Sequence, residues 1–175
     1  MKKWIAVALI LLLAFGLAGC KAQKEDLKFY VVKKADVTDS MVDSALLHAA
    51  KEKGRIAFTA EDIKSWYWQE QKVYLQDVSV LGGQTDGGSA LFQAEAEDVF
   101  LLVLGNRVLY AGGFKAAGST VSPLREIYIK DGEADSFEIA CRKDYEAAED
   151  PRNQTALYNY LAEQQLLASG EVSVK

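Results

Sequence analysis

Residues 99–110 read VFLLVLGNRVLY, and this stretch gives the clearest indication of the fold. Val99–Leu104 is a continuous apolar run, and Arg107–Tyr110 follows after Gly105-Asn106. A two-residue connection that begins with glycine is typical of a type II′ turn, because the first turn residue needs a positive φ. The stretch therefore predicts a β-hairpin whose apolar first strand lies in the centre of a sheet.

Further stretches with the composition of strands lie on both sides of this hairpin. Each is short, rich in β-branched or aromatic residues, and bounded by polar or turn-forming residues. Gly112–Phe114 is predicted to end the hairpin, and Gly82–Ser89 holds too many glycines for a regular element. The other predicted strands are Leu27–Val32, Gln71–Leu75, Val78–Leu81, Glu126–Lys130 and Ser136–Arg142.

A first helix is predicted over Asp39–Lys53, where apolar residues recur on one face. Ser40 with Asp43 resembles a capping box, and Gly54 is placed to end the helix. A second capping signal, Thr59–Asp62, predicts a short helical turn.

A second helix is predicted near the end of the sequence. Asp150 is a good N-cap, and Pro151 would occupy the first helical position, where a missing N–H costs nothing. The nearby acids Asp144, Glu146 and Glu149 would favour the positive end of its dipole. Its apolar stripe consists of Leu157, Tyr160, Leu161, Leu167 and Ala168.

The order strand, helix, several strands, helix predicts a single α+β domain over residues 27–175. We expect a mostly antiparallel sheet with the N-terminal and the C-terminal helix packed on one side of it. Two prolines and no low-complexity tract give no signal for a linker that would divide the domain.

The first twenty residues have the three parts of an export signal. Lys2 and Lys3 precede the apolar run Trp4–Phe15, which is shorter than the roughly 20 residues of a membrane-spanning helix. Leu17-Ala18-Gly19-Cys20 then resembles the lipobox of bacterial lipoproteins. The resemblance implies cleavage before Cys20 and a diacylglycerol thioether on its sulfur.

This reading divides the chain into a signal peptide at 1–19, a lipidated tether at 20–26 and the domain at 27–175. The protein would then sit on the extracytoplasmic face of the cell membrane, anchored by the lipid on Cys20. An uncleaved anchor helix, or ordinary secretion with Cys20 as a plain thiol, are the alternatives.

Charge and cysteine content narrow the classes of partner. Without Lys2 and Lys3, 18 basic side chains of the original 20 face 25 acidic ones, so the net charge falls from −5 to −7. Nucleic acid is not expected as a partner, because phosphate binding needs clustered lysine and arginine. Once Cys20 is lipidated, Cys141 has no disulfide partner in the chain. Cys141 shares a strand face with Phe137 and Ile139, which predicts a buried, unreactive thiol.

No catalytic or cofactor motif is present, so we predict a protein without enzymatic activity and without a cofactor. His48 is the sole histidine, and a serine hydrolase would have to use it as its base, with a loop serine such as Ser89, Ser119 or Ser122. There are two acidic clusters, Glu95-Glu97-Asp98 and Asp131-Glu133-Asp135. The second alternates loosely like a calcium loop but lacks the glycine and the distant glutamate of such a loop, which favours a solvated turn. No metal site is predicted.

Trp66-Tyr67-Trp68 is the candidate partner-binding site. Because successive side chains of a strand alternate between its faces, three adjacent aromatic residues cannot all be buried in a half-exposed strand. One interpretation places Trp66 and Trp68 in the core and Tyr67 in solvent; the other makes the cluster a surface for a protein, peptide or glycan.

Glu61–Trp68, together with the Val99–Tyr110 hairpin and the following Gly113-Phe114, looks like segments of small uncharacterised lipoproteins of Gram-positive bacteria. That resemblance implies no particular activity. The sequence thus favours a membrane-anchored envelope module that binds a partner without catalysis. The alternatives are an envelope hydrolase using His48 and a loop serine, or a small solute-binding subunit.

Overall fold

The computed structural model describes residues 25–38, 40–81, 92–95, 97–115, 125–131 and 135–168. This part of the chain holds eight strands and two α-helices. The helices are α1 (Asp43–Lys53) and α2 (Thr155–Glu163). The strands are β1 (Leu27–Val32), β2 (Arg55–Thr59), β3 (Ile63–Tyr67), β4 (Lys72–Leu75), β5 (Val99–Leu104), β6 (Arg107–Phe114), β7 (Ile127–Asp131) and β8 (Ser136–Cys141).

All eight strands belong to one sheet, in the order β2-β1-β5-β6-β7-β8-β4-β3. Neighbouring strands pair antiparallel except for β6 and β7, which are parallel. The two edge strands, β2 and β3, follow each other in the chain through the 3-10 turn Ala60–Asp62. A turn this short holds the two edges together, so the sheet is nearly closed. The chain is therefore a single sheet-rich domain, and the predicted α+β class is confirmed at that level.

The central hairpin is confirmed. Gly105 has a φ of 59°, and Asn106 is not among the residues with positive φ, as a type II′ turn requires. All six residues of β5 are buried between β1 and β6. Gly112–Phe114 ends the hairpin as predicted, because the pairing with β5 stops at Gly112 and β6 ends at Phe114. The pairing of β5 and β6 skips Leu109, which leaves an extra residue in β6.

The sheet has two buried faces, each with its own hydrophobic cluster. The inner cluster holds Phe29 and Phe100 together with Leu157 and Leu161 of α2. The outer cluster is smaller and joins α1 to the opposite side of β1, β5 and β6. The prediction that both helices pack on one side is therefore wrong. A strand that is apolar on both faces needs a packing layer on each side, and one helix supports each layer.

Both helices begin later than predicted. The Ser40-Asp43 capping box does not form, because Val42 is the N-cap of α1, while Gly54 ends that helix as expected. Asp39 lies outside the described residues. Gln154 is the N-cap of α2, so Asp150 and Pro151 precede the helix. The acids at 144–150 therefore do not serve its dipole.

Of two further local predictions, the Thr59–Asp62 capping box is confirmed and the Val78–Leu81 strand is wrong. Thr59 and Asp62 form the predicted capping box, and Asp62 Oδ2 accepts hydrogen bonds from the Thr59 backbone N–H and hydroxyl groups at 2.8 and 3.0 Å. Val78–Leu81 is a 3-10 helix and not part of the sheet. Gly82–Ser89 lies outside the described residues. None of the described helices has the length and apolar character needed to cross a membrane.

Two adjacent glycines of β6 allow a direct test of core packing. A Cβ on Gly112 would overlap Cε1 of the buried Phe100 and lie 2.5 Å from the carbonyl oxygen of Ile127, whereas a Cβ on Gly113 would lie 3.7 Å from the nearest atom, in Arg125. We expect Gly112→Ala to lower the free energy of unfolding by about 1–3 kcal/mol. Gly113→Ala should be neutral or slightly stabilising, because it restricts the unfolded chain. Denaturant unfolding of both variants checks this, and equal stabilities would contradict the packing described.

Candidate binding groove

Half of the outer surface of the sheet is covered by neither of the two described helices. Helix α1 contacts β1, β5 and β6, and α2 belongs to the inner cluster. Within the described residues, the outer sides of β3, β4, β7 and β8 are therefore left open. Their inward residues, such as Trp66, Val73, Ile129 and Phe137, are buried. The side chains on the other side, which we call the open face, are Tyr67, Lys72, Tyr74, Tyr128, Lys130 and Glu138.

The aromatic cluster divides as the strand alternation predicts. Trp66 and Trp68 are 0% and 8% exposed, whereas Tyr67 is 37% exposed. The backbone of Trp66 also pairs with the segment after α2, since its N–H donates to the Leu166 carbonyl oxygen at 2.7 Å. Burial prevents both tryptophans from contacting a partner directly. Of the three predicted binding residues, Tyr67 alone remains a candidate.

On the open face, the side chain of Tyr67 lies beside Tyr74, which in turn contacts Lys72. Its ring lies 5.4 Å from the ring of Tyr74, at an interplanar angle of 58°. The Nζ atom of Lys72 lies 5.0 Å from the centre of the Tyr74 ring, within the range of a cation–π interaction. Two tyrosines with an ammonium group make a surface that can contact both apolar and polar parts of a ligand.

The turn between β3 and β4 positions Lys72. Gln71 has a φ of 50°, a conformation uncommon outside glycine, and it is 1% exposed. The side-chain Nε2 of Gln71 donates to the Trp68 backbone carbonyl oxygen at 2.7 Å. The backbone carbonyl oxygen of Gln71 accepts from the Ile139 N–H group at 2.9 Å. These bonds attach the turn to β8, so that Lys72 pairs opposite Glu138 in the sheet.

A groove of about 710 Å³ lies over the open face. Its floor is formed by side chains of β4, β7 and β8, and its walls by the turn after β3, the residue after β6 and the segment after β8. Five lining residues are cationic and three are anionic. The lining residues are Gln69, Glu70, Lys72, Lys115, Tyr128, Lys130, Glu138, Ala140, Cys141, Lys143, Asp144, Tyr145 and Arg152.

Lys130 and Arg152 each have an acidic partner. Lys130 Nζ lies 3.0 Å from Glu138 Oε2, and this hydrogen bond raises the pKa of the lysine. Arg152 Nε donates to Asp150 Oδ1 at 2.9 Å, and its Nη1 donates to the Ile139 carbonyl oxygen at 2.6 Å. Burial acts to raise the pKa of Asp150, but the hydrogen bonds from Arg152 outweigh it and hold this pKa below its ordinary value. Arg152 thus connects the segment that contains Asp150 to the backbone of β8.

Lys115 and Lys143 are the cations of the groove without such partners. Neither ammonium group forms a hydrogen bond or ion pair with any residue that the structure describes. Lys115 directly follows β6, and Lys143 lies in the segment after β8. These two side chains are the ones most available to an anionic group of a ligand.

Cys141 lies in the wall of the groove and is half-buried, so the prediction of a fully buried thiol is only partly correct. Phe137 and Ile139 are buried as expected. Burial raises the pKa of the Cys141 thiol, against an opposing influence from Arg152. The thiolate, which is the reactive form, is therefore disfavoured at neutral pH.

Of the residues that the hydrolase alternative needs, the structure describes only His48. His48 is 72% exposed on α1, where its Nε2 lies 3.3 Å from Glu52 Oε2. Helix α1 packs on β1, β5 and β6, whereas the groove lies over β4, β7 and β8. Ser89, Ser119 and Ser122 lie outside the described residues. Cys20 also lies outside them.

Asp98 of the first acidic cluster has a structural role. Asp98 is buried and accepts hydrogen bonds from Lys33 Nζ at 2.8 Å and from the Glu95 N–H group at 2.9 Å. Asp98 therefore fixes the approach to β5 and is not part of a solvated turn. Glu133 of the second cluster lies outside the described residues.

The sequence reasoning found Tyr67 on the open face but missed Tyr74 beside it and the lysines and tyrosines that line the groove. Alternation along β4 and β7 would have placed Lys72 with Tyr74, and Tyr128 with Lys130, on the polar side of their strands. What joins them is the strand order β7-β8-β4-β3, which brings together segments more than fifty residues apart in sequence. No local pattern carries that order.

Comparisons with known proteins do not assign this groove. No protein-family model, no curated protein and no solved structure matches the chain. Among the described residues, no group of three or more His, Cys, Asp or Glu side chains could hold a metal ion. The chemistry available in the groove is that of its ammonium, carboxylate and phenol groups.

The two faces of β3 predict opposite responses to truncation. Trp66→Ala removes a fully buried side chain and should lower the free energy of unfolding by about 3–5 kcal/mol. Tyr67→Ala removes a partly exposed side chain and should cost less than about 1 kcal/mol. Thermal and denaturant melts of the two variants measure the difference. Equal destabilisation would mean that Tyr67 is part of the core.

Proposed function

We propose that the protein is a lipid-anchored module of the cell envelope that binds a partner through the open face and does not catalyse a reaction. The observation that carries the proposal is the groove of about 710 Å³ over a sheet half without a covering helix. Its scaffold is a mostly antiparallel sheet with an N-terminal and a C-terminal helix packed on it. Exposed tyrosine and unpaired lysine suit reversible binding.

The anchoring part of the proposal rests on the sequence. Leu17-Ala18-Gly19-Cys20 after a short apolar run supports lipidation of Cys20 and a location on the extracytoplasmic face of the cell membrane. An acidic chain is repelled by anionic lipid headgroups, so attachment would depend on the lipid and not on charge. The tether at 20–26 would separate the domain from the bilayer.

A small solute-binding subunit is a second candidate. The volume of the groove lies within the roughly 300–1,000 Å³ of small-molecule sites. Such sites are mostly apolar and bury most of their ligand, whereas this groove is lined largely by charged side chains. That lining favours a partner that remains in contact with water. The hydrolase alternative is less well supported, because His48 is exposed and remote from the groove.

Lipidation predicts a clear change on replacing the cysteine. Cys20→Ser removes the sulfur that would carry the lipid, and we expect the protein to leave the membrane fraction or to accumulate as uncleaved precursor. Cys141→Ser is the matched control, since it removes the other thiol. Membrane fractionation and the mass of the mature N-terminus provide the readout. A Cys20→Ser protein that is cleaved and membrane-bound like the wild type would contradict the lipoprotein proposal.

Partner binding predicts a loss that does not depend on folding. Full-length protein is purified from detergent-solubilised membranes, and co-purifying envelope components are quantified. Tyr67→Ala should reduce capture by about fivefold or more, since a central aromatic contact contributes about 1 kcal/mol or more. Val42→Ala is the control, because Val42 is an apolar side chain 66% exposed beside α1. Capture that is unchanged in both variants would remove the open face as the binding surface.

A further inference from the structure

We infer that the groove binds an acidic, extended peptide segment of a partner protein. This inference rests on the proposed function and names the chemistry of the ligand. Three features of the groove favour this ligand class. They are its net charge, the positions of Lys115 and Lys143, and the presence of side chains of both charges.

The described lining of the groove has a net charge opposite in sign to that of the whole chain. Among the described residues, five cationic and three anionic side chains line it, an excess of two positive charges, whereas the whole chain carries a net charge of −5. An acidic protein repels anions over most of its surface, so a locally positive groove directs an acidic ligand to one place. Complementary charge therefore favours a ligand with net negative charge.

The two lysines without a partner among the described residues lie at different points along β7, Lys115 beside its middle and Lys143 near its start. The N–H group of Lys115 donates to the Ile129 carbonyl oxygen, and Lys143 follows Arg142, whose N–H group donates to the Glu126 carbonyl oxygen. Glu126 and Ile129 are three residues apart, or roughly 10 Å along an extended strand. Acidic side chains three or four residues apart on an extended peptide have a similar separation. The ligand would then lie along the direction of β7.

Because side chains of both charges line the groove, it suits a peptide better than a polymer with uniform negative charge. Glu70, Glu138 and Asp144 also line the groove and would repel a polymer that carries a negative charge on every unit. A peptide has backbone N–H groups that can donate hydrogen bonds to these carboxylates. Acidic side chains spaced along the peptide can bind the lysines. Tyr128 and Tyr145 provide phenol groups and apolar ring surface between the charges. These features favour an acidic peptide over an anionic glycan.

The probe is a short fluorescent peptide in which Glu alternates with Ser, and fluorescence anisotropy measures its binding to the full chain. Matched peptides carry Gln or Lys in place of Glu, and polygalacturonate serves as a uniformly anionic competitor. We expect the Glu peptide to bind, the Gln and Lys peptides to bind at least tenfold more weakly, and high salt to weaken the Glu peptide. Polygalacturonate should compete poorly.

Charge reversal locates the site. The double variant Lys115→Glu/Lys143→Glu should weaken binding of the Glu peptide by about tenfold or more. The control for one reversal is Arg107→Glu, on an exposed residue at the far end of β6 from Lys115. It is compared with Lys115→Glu alone, and circular dichroism confirms that each variant is folded. Equal weakening by Arg107→Glu and Lys115→Glu would mean that general charge, and not the groove, attracts the peptide.

The outcomes distinguish this inference from the proposed function. If the Glu peptide does not bind, or polygalacturonate competes as well as the unlabelled Glu peptide, the ligand class is wrong. The membrane co-purification can still depend on Tyr67 in that case, which leaves the proposed function intact. Loss of that dependence would instead overturn the proposed function.

Discussion

Strand β5 is buried on both of its faces, and the rest of the structure is arranged around that constraint. Phe100, Leu102 and Leu104 enter the inner cluster, while Val99, Leu101 and Val103 enter the outer one. A strand of this kind needs a strand on each edge and a packing layer on each side. β1 and β6 supply the edges, and α1 supplies the outer layer. The inner layer is supplied by α2 together with the inward side chains of the other strands.

Curvature of the sheet makes the inner cluster possible. The rings of Phe58 and Phe100, which belong to different strands, stack on the ring of Phe29 at 4.7 and 4.9 Å. Phe92 and Phe137 join the same group from other parts of the chain. Aromatic rings fill a wide interior with few side chains, and each pair adds about 0.5–1.5 kcal/mol beyond its buried area. Gly112 leaves the space that the Phe100 ring needs.

The same arrangement produces the groove. Helix α1 is eleven residues long, or about 16 Å, and it covers β1, β5 and β6 but not the far strands of the sheet. The outer sides of β3, β4, β7 and β8 therefore meet solvent and carry polar and aromatic side chains. Gln71 and Arg152 hold the turn and the last segment against β8, which gives the open face its walls. Side chains on the strands of a sheet are held in position more firmly than side chains on loops.

The sequence by itself determined the features that depend on neighbouring residues. Gly105 sets the hairpin turn through the φ that only glycine adopts freely, and Thr59 with Asp62 sets the 3-10 turn through two short hydrogen bonds. Strand alternation likewise separated Trp66 from Tyr67. These features are decided by local geometry, which a single stretch of sequence contains.

Tertiary structure decided which strands are neighbours and where side chains with two possible partners go. Asp150 has the chemistry of an N-cap, but Arg152 binds it and Gln154 caps α2 instead. Asp98 is buried, and the residue that donates to it, Lys33, lies 65 residues away in the sequence. The strand order places Lys72 opposite Glu138, and with it the groove. Each outcome depends on the free energy of contacts between distant segments, and for such contacts a local pattern gives no measure.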